Sequence, residues 1–408
     1  MVPGNLRDRR RSATEAAILQ AAWQRFASAG PDGTSIRDVA GDAGCNHTLV
    51  ARYFGSKTGL IEAVGRRLDD RIDGAVHQAR SHGDAVLGLL TAARRDRASV
   101  QLLVRSGLGE LGAAASPAAR HVDAVLSGID GHGDPHEPRL RWCTYGAASL
   151  VLGWLTYEAF VVAATGLEGV PDRRRDLAVA AAAHRVVRVA VEPTPTFARS
   201  LAVDRSLVDD ARPAAEATSA RDALVAAAVD LFAERGPAAV SVRDVARRAG
   251  VNQGLIYRHL GSKEALIAAA FEQGSADLFP AALGPDGFDI DTVIHQVHHG
   301  ARAPRLIARI LVDDVEVTEV REQFPVLRQL LDAYGERPGT DAPAGPDDPR
   351  IAVSAVTCMA MGSAIYGSGL VAALDLADDG SAEVAVAELC RVLLSEPAAA
   401  ANAGGAWR

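Results

Sequence analysis

An all-α chain built from two copies of one unit is the fold this sequence predicts, and three observations carry it. Sliding the chain on itself by 206 residues superposes Ser12–Val64 on Thr218–Ala270 without a gap, with 23 identities in 53 positions. Within each copy the apolar residues recur at helical spacing rather than alternating. Four further stretches, Arg139–Thr165, Pro171–Val191, Arg350–Leu374 and Ser381–Leu394, are long and apolar in the manner of packed helices. Self-similarity at a fixed offset is weighed first, because missing it misassigns the whole fold.

The 408 residues suffice for two to four domains with buried cores. A composition that is 48% hydrophobic and 23% charged excludes wholesale disorder. Four scattered cysteines without a CxxC spacing exclude a disulfide framework and a cysteine-ligated zinc site, and suit a reducing cytoplasm. The opening MVPGNLRDRRRS has charge but no apolar run behind it, so no signal peptide is expected.

Each copy begins with short helices. Ala13–Ala29 sets Ala17, Ile18, Ala21, Ala22 and Phe26 on one face and stops at Gly30-Pro31; its twin Ala223–Arg235 stops at Gly236-Pro237. Ser35 and Ser241 are N-caps for a second helix, since a hydroxyl satisfies a free backbone N–H there. That helix ends at Gly44 or Gly250, suited to a left-handed C-cap. Asn46 and Asn252 cap a third short helix, and a fourth begins at Lys57 or Lys263. Two short helices joined by a glycine turn and braced by a preceding helix make a helix-turn-helix, here at 35–54 and 241–260.

The start of the second helix of such a motif meets base edges in the major groove. Asn46, His47 and Thr48 stand there in one head, and Asn252, Gln253 and Gly254 in the other. Amide side chains can bond adenine, and hydroxyl or imidazole groups can reach base or phosphate. Ser35 with Arg37, and Ser241 with Arg243, open the preceding helix. Tyr53, Tyr257 and His259 carry polar tips suited to phosphate oxygens. Lys57 and Lys263, at helix N-termini that already favour an anion, are the only lysines among 43 basic residues.

Charge distribution agrees. The net charge of -8 argues against nucleic acid when taken whole. Residues 1–64 hold eight Arg and Lys against six Asp and Glu, and residues 212–271 hold the same numbers, so the acidity belongs to the rest of the chain. Arg7, Arg9, Arg10 and Arg11 read as a basic arm ahead of the first head.

Both heads resemble the DNA-binding domain of the tetracycline-repressor (TetR) family of bacterial regulators. The resemblance rests on Ser35-Ile36-Arg37-Asp38-Val39-Ala40, Ala43-Gly44, Asn46, Leu49, Arg52 and Gly55-Ser56-Lys57, and on the matching residues from Ser241 to Lys263. It covers about 60 residues per copy. Ala51 departs from it where the second copy has the usual aromatic, Tyr257, and Leu260 departs where the first has Phe54. The resemblance implies an all-helical ligand-binding and dimerisation body behind each head, and a four-helix interface made by the last two helices of each. In one chain that interface would form a pseudo-dimer. The implied domains are a head at 12–72, a body at 73–192, a linker at 193–217, a second head at 218–278 and a second body at 279–396.

In the bodies, Gly146–Thr165 is long enough to span a membrane, but Glu158 interrupts it and a packed helix is expected. Gly362, Gly367 and Gly369 would let helices approach closely. Trp142, Tyr145, Trp154 and Tyr157 are candidates for lining an effector pocket or for plain core. His295, His298 and His299 share i, i+3, i+4 spacing, yet the matching Leu89, Ala92 and Ala93 are not histidine, and a packing or solvated helix is expected rather than a metal site. His132 and His136 lie in a Gly/Pro loop. No P-loop, GxSxG or HExxH motif is present.

The expectation is therefore a cytoplasmic, non-enzymatic regulator that binds a double-stranded DNA operator, responds to a small hydrophobic effector and needs no cofactor. It would act as a monomeric pseudo-dimer or as a homodimer. The rival expectation is a chain of this fold whose heads no longer bind DNA and which serves as an interaction protein or enzyme.

Overall fold

The computed structural model describes residues 6–76, 79, 81–111, 137–191, 219–277, 283–284, 287–300, 302–313, 327, 330–331, 348–377 and 379–395. The first unit comprises α1 (Leu6–Ala29), α2 (Ile36–Asp42), α3 (His47–Phe54), α4 (Lys57–Val76), α5 (His82–Arg95), α6 (Arg97–Gly107), α7 (Pro138–Thr165) and α8 (Asp172–Val191). The second repeats the plan with α9 (Ala220–Arg235), α10 (Val242–Arg248), α11 (Gly254–His259), α12 (Lys263–Asp277), α13 (Ile290–His299), α14 (Arg302–Val312), α15 (Pro349–Ala373) and α16 (Ser381–Ser395). The one departure from all-α among the described residues is a two-residue antiparallel ladder, β1 (Leu283–Gly284) with β2 (Gly287–Phe288). The expected linker 193–217 and the loop with His132 and His136 lie outside the described residues.

The sequence explains the longest helices. α7 has Pro138 in its first turn, where a missing N–H costs nothing, and ends at Gly166 with φ +73°. Between those stops it is apolar on nearly every side, which suits a helix surrounded by others. α7 and α15 both meet the length and hydropathy of a membrane span, but 72% and 83% of their most apolar windows are buried inside the protein. The expected packing reading of Gly146–Thr165 holds.

α7 crosses α15 at a pair of glycines that match in the repeat. A Cβ on Gly153 would sit 1.9 Å from the Cys358 carbonyl oxygen, and one on Gly362 would sit 2.1 Å from that of Ser149 and 3.1 Å from the Gly153 Cα. The two backbones therefore touch, which only glycine permits. α8 and α16 flank the crossing, and all four helices pack together. Buried polar bonds fix the register across it. Thr156 Oγ1 and the Tyr366 hydroxyl are 2.7 Å apart, Thr165 Oγ1 and Ser354 Oγ are 3.2 Å apart, and Arg350 donates to the Gly166 carbonyl. The last two helices of each unit thus pack against one another inside one chain, the arrangement the resemblance implied. The Gly362–Gly369 run is interior to α15 and forms no loop.

The four candidate aromatics lie in this core. Trp142, Tyr145, Trp154 and Tyr157 are all buried. Trp142 meets Tyr145 edge-on at 5.5 Å, and the Tyr157 hydroxyl donates to the Pro304 carbonyl of the other unit. All four cysteines are free, and burial pushes the Cys143 thiol up to about 12.

Candidate nucleic-acid interface

Each head is a small core with one helix pair held out to solvent. In the first, Ile18, Ala22, Trp23 and Phe26 of α1 close over Val39, Val50 and Leu60, one from each following helix. In the second, Leu224, Ala228, Leu231 and Phe232 close over Val245, Ile256 and Leu266. The turns need left-handed glycines, and Gly44 and Gly250 supply them at φ +63° and +69°.

Both second helices start with the same reciprocal cap. Asp38 N–H donates to Ser35 Oγ at 3.2 Å while Ser35 N–H donates to Asp38 Oδ2 at 2.9 Å. Ser241 and Asp244 repeat it at 3.2 and 3.1 Å. Hydrogen bonds from the serine lower the pKa of both aspartates. Ser35 and Ser241 are therefore caps first, and the box fixes the angle at which each helix pair leaves the core.

Asn46 caps α3, accepting from Thr48 N–H at 2.9 Å and from Thr48 Oγ1 at 3.0 Å. Asn252 makes the equivalent bond to Gly254 N–H at 2.9 Å, but α11 begins only at Gly254, later than the sequence suggested. Gly254, without a side chain, favours that delay. Both asparagines commit their carboxamide oxygen to the backbone and keep only the NH₂ group for a base. His47 and Thr48 on one side, and Gln253 on the other, are exposed at the helix start. Gln253 makes no capping bond.

Among the described residues, Arg37, Arg52, Lys57, Arg243, Arg258 and Lys263 have no ion-pair partner. Some other arginines of the heads are matched: Arg25 forks onto Asp42, Arg247 bonds Asp244, and Arg248 lies near Asp230 and Glu234, while Arg221 and Arg235 of α9 are exposed without an ion pair among the described residues. Arg52 and Arg258, which belong to the motif that carries the resemblance, were not among the residues expected to contact DNA. Lys57 and Lys263 open α4 and α12 as expected, beside the capping hydroxyls of Ser56 and Ser262. His259 is exposed, and Tyr257, 56% exposed, is the one large hydrophobic side chain left in solvent among the described residues.

The first head lacks that tyrosine, having Ala51, but has something the second does not. α1 starts at Leu6, so the expected basic arm is not extended: Arg7 to Arg11 form the first turns of a helix of 24 residues, against 16 for α9. The Arg11 guanidinium lies 5.9 Å from the half-buried Tyr53 ring.

Behind the heads, two arginines and two carboxylates join the units. Arg105 donates to the Ala27 carbonyl and Arg309 to the Ala233 carbonyl, both at 2.9 Å, so each arginine grips the end of its own head's first helix. Arg105 meets Glu110 at 2.9 Å and, from the other unit, Asp313 at 2.8 Å; Arg309 meets Glu110. Asp313 accepts the Ala238 N–H of the second head at 3.0 Å. All four side chains are at least 87% buried. Sequence reasoning missed this network entirely.

Comparison with known proteins finds the same two segments. The profile of bacterial regulatory proteins of the tetR family matches twice, at residues 18–64 and 224–270. The HTH-type transcriptional repressor Rv3405c of Mycobacterium tuberculosis is 37% identical over 145 residues, which are 35% of this chain and 71% of that protein. The HTH-type transcriptional repressor KstR2 of Rhodococcus jostii is 30% identical over 122 residues, 28% of this chain and 60% of that protein. The first relative is thus about half the length of this chain, the size of one repeat.

Proposed function

The chain belongs to the tetR family of bacterial regulatory proteins, and we propose that it reads one operator with two unlike heads carried by a single polypeptide. That it is a DNA-binding transcriptional regulator, and not an enzyme, follows from the family. The observation that carries the finer reading is the α7–α15 crossing. In this reading it takes the place of a dimer interface within the chain and leaves two helix-turn-helix heads with unpaired cations. Two heads set about 34–36 Å apart would enter successive major grooves on one side of the duplex.

Fusion frees the heads to differ, and they do: His47-Thr48 against Gln253-Gly254, Ala51 against Tyr257, and a basic α1 against a shorter α9. The operator should therefore have unequal half-sites. A repressor of this kind acts in the cytoplasm and releases DNA when a small hydrophobic effector enters a body and favours another head spacing. Such a shift requires the effector to bind one spacing more tightly than the other. Support for a polar contact inside the first body comes from Trp154, whose buried indole N–H has no acceptor among the described residues.

Selection of bound duplexes from a random pool, with light-scattering mass on the same sample, tests the reading. The expected result is a two-part asymmetric site and a particle of 42.6 kDa before DNA is added. A palindrome bound by a particle of twice that mass would overturn it, and so would the absence of any enriched site.

A further inference from the structure

The surface of the second body has a group of three side chains that DNA binding does not use. His295 and His299 stand one turn apart on α13, and Glu383 lies in the first turn of α16. His295 Nδ1 is 3.3 Å from Glu383 Oε2, and His299 Nε2 is 3.0 Å from Glu383 Oε1. The imidazole centroids are 4.2 Å apart, and one ligand atom from each residue lies within 4.8 Å of the others. Among the described residues Glu383 has no arginine or lysine partner.

We propose that His295, His299 and Glu383 bind one divalent transition-metal ion of the zinc class, and that the ion pins α13 to α16. Two imidazole nitrogens and a carboxylate oxygen form a donor set for Zn²⁺ and its neighbours, with bonds of about 2.0–2.2 Å. Ligand atoms around a tetrahedral ion of that size lie roughly 3.3–3.5 Å apart. The two carboxylate contacts already approach that separation, and small side-chain rotations close the remaining gap. Three protein ligands leave a fourth position for water. The side chains are between 28% and 63% exposed, so an ion reaches them without opening the fold.

The same junction in the first unit already holds a cation. There α5 is joined to α8 by Arg94, whose guanidinium meets Asp176 at 2.6 Å, Glu158 at 2.7 Å and Asp172 at 3.2 Å. In the second unit Arg391 pairs with Asp291 and Glu388, two turns of α16 beyond Glu383. The end of α13 nearer the surface therefore has a carboxylate and two imidazoles where the first unit has a fixed guanidinium. A dissociable cation completes the correspondence.

The full chain, stripped with a chelator and titrated with Co²⁺, tests the site by visible ligand-field absorption and equilibrium dialysis. One absorbing equivalent is expected, displaced by Zn²⁺ and lost in both His299→Ala and Glu383→Gln. His299 is mostly solvent-exposed, so that variant should keep the native circular dichroism. Zn²⁺ should raise the thermal midpoint of the wild type and leave that of either variant unchanged, because only binding to the folded state stabilises it. No bound equivalent in the wild type would overturn the proposal, and this is the result a merely pH-responsive histidine pair would give. An equivalent that survives in both variants belongs elsewhere in the chain and would overturn it equally.

Discussion

Lys57 and Lys263 each begin a helix at the edge of a head, and neither makes a salt bridge among the described residues, although Glu264 lies beside Lys263. A charge placed that way releases one counterion when it meets a phosphate. Lys57→Ala and Lys263→Ala should each weaken binding to every sequence alike and lower the slope of log affinity against log salt by about one. Gln253→Ala should instead relax base preference in one half-site and leave the slope alone. Fluorescence anisotropy over a salt series, on the selected operator and on variants of each half, separates the two effects. The lysines were legible because a chain that otherwise uses arginine has lysine at two matching places. Arg52 and Arg258 were legible as part of the repeated motif but not as contacts, because one arginine among many does not show that role until its lack of a partner is seen. The asparagines were legible only in part: the same carboxamide serves as a helix cap or as a reader of adenine, and sequence does not say which. The bonds from Thr48 and Gly254 to Asn46 and Asn252 show the capping half of that pair of roles.

The helices themselves were mostly legible, because their stops are local. Ser35-x-x-Asp38, the left-handed Gly44 and the Gly55-Ser56-Lys57 step each act within a few residues, and the structure uses them as read. Where a boundary moved, a neighbour of different character moved it: Gly254 delays α11, and the arginines before Ser12 extend α1 by good helix propensity. Burial of a polar side chain was not legible. His82 opens α5 and is buried against α8, where loss of hydration and then the nearby His184 push its pKa down to about 4. The dipole at the start of α5 opposes a positive charge there as well. In the unfolded chain the same imidazole titrates near its ordinary 6.5. Above that value both states are neutral and His82 has no effect on pH dependence. Below it the unfolded chain binds the proton first, so stability falls as pH drops from 6.5 towards 4. The loss should reach about 2–4 kcal/mol. Urea midpoints across that range should fall steeply for the wild type and less steeply for His82→Leu, and equal slopes would show that His82 stays solvated.

At the scale of the molecule, a buried charged knot between α6 and α14 ties the first helices of the two heads to one another. Arg105 and Arg309 play the same part in the two units, but they are 204 residues apart rather than 206, and their acids, Glu110 and Asp313, are 203 apart and differ in type. The repeat has drifted by then, so alignment of the sequence on itself misses the knot, while the matching bonds to Ala27 and Ala233 make it plain. Glu110 is the member that both arginines share. Glu110→Gln keeps its shape and removes the charge, leaving two buried guanidinium groups against one carboxylate, Asp313. Breaking a buried ion network from one side costs about 3–5 kcal/mol, more than the network adds over a well-packed apolar equivalent. The wild type and Glu110→Gln should therefore differ by that order in urea unfolding. The same change loosens the grip of Arg105 on the end of α1 and of Arg309 on the end of α9, so the heads lose their fixed separation. Specific operator affinity should then fall, while weak non-sequence-specific binding, set by the unpaired cations of each head, stays close to wild type. A variant that loses stability but keeps its full preference for the operator would show that the knot supports the fold alone, and that the α7–α15 crossing by itself sets the distance between the heads.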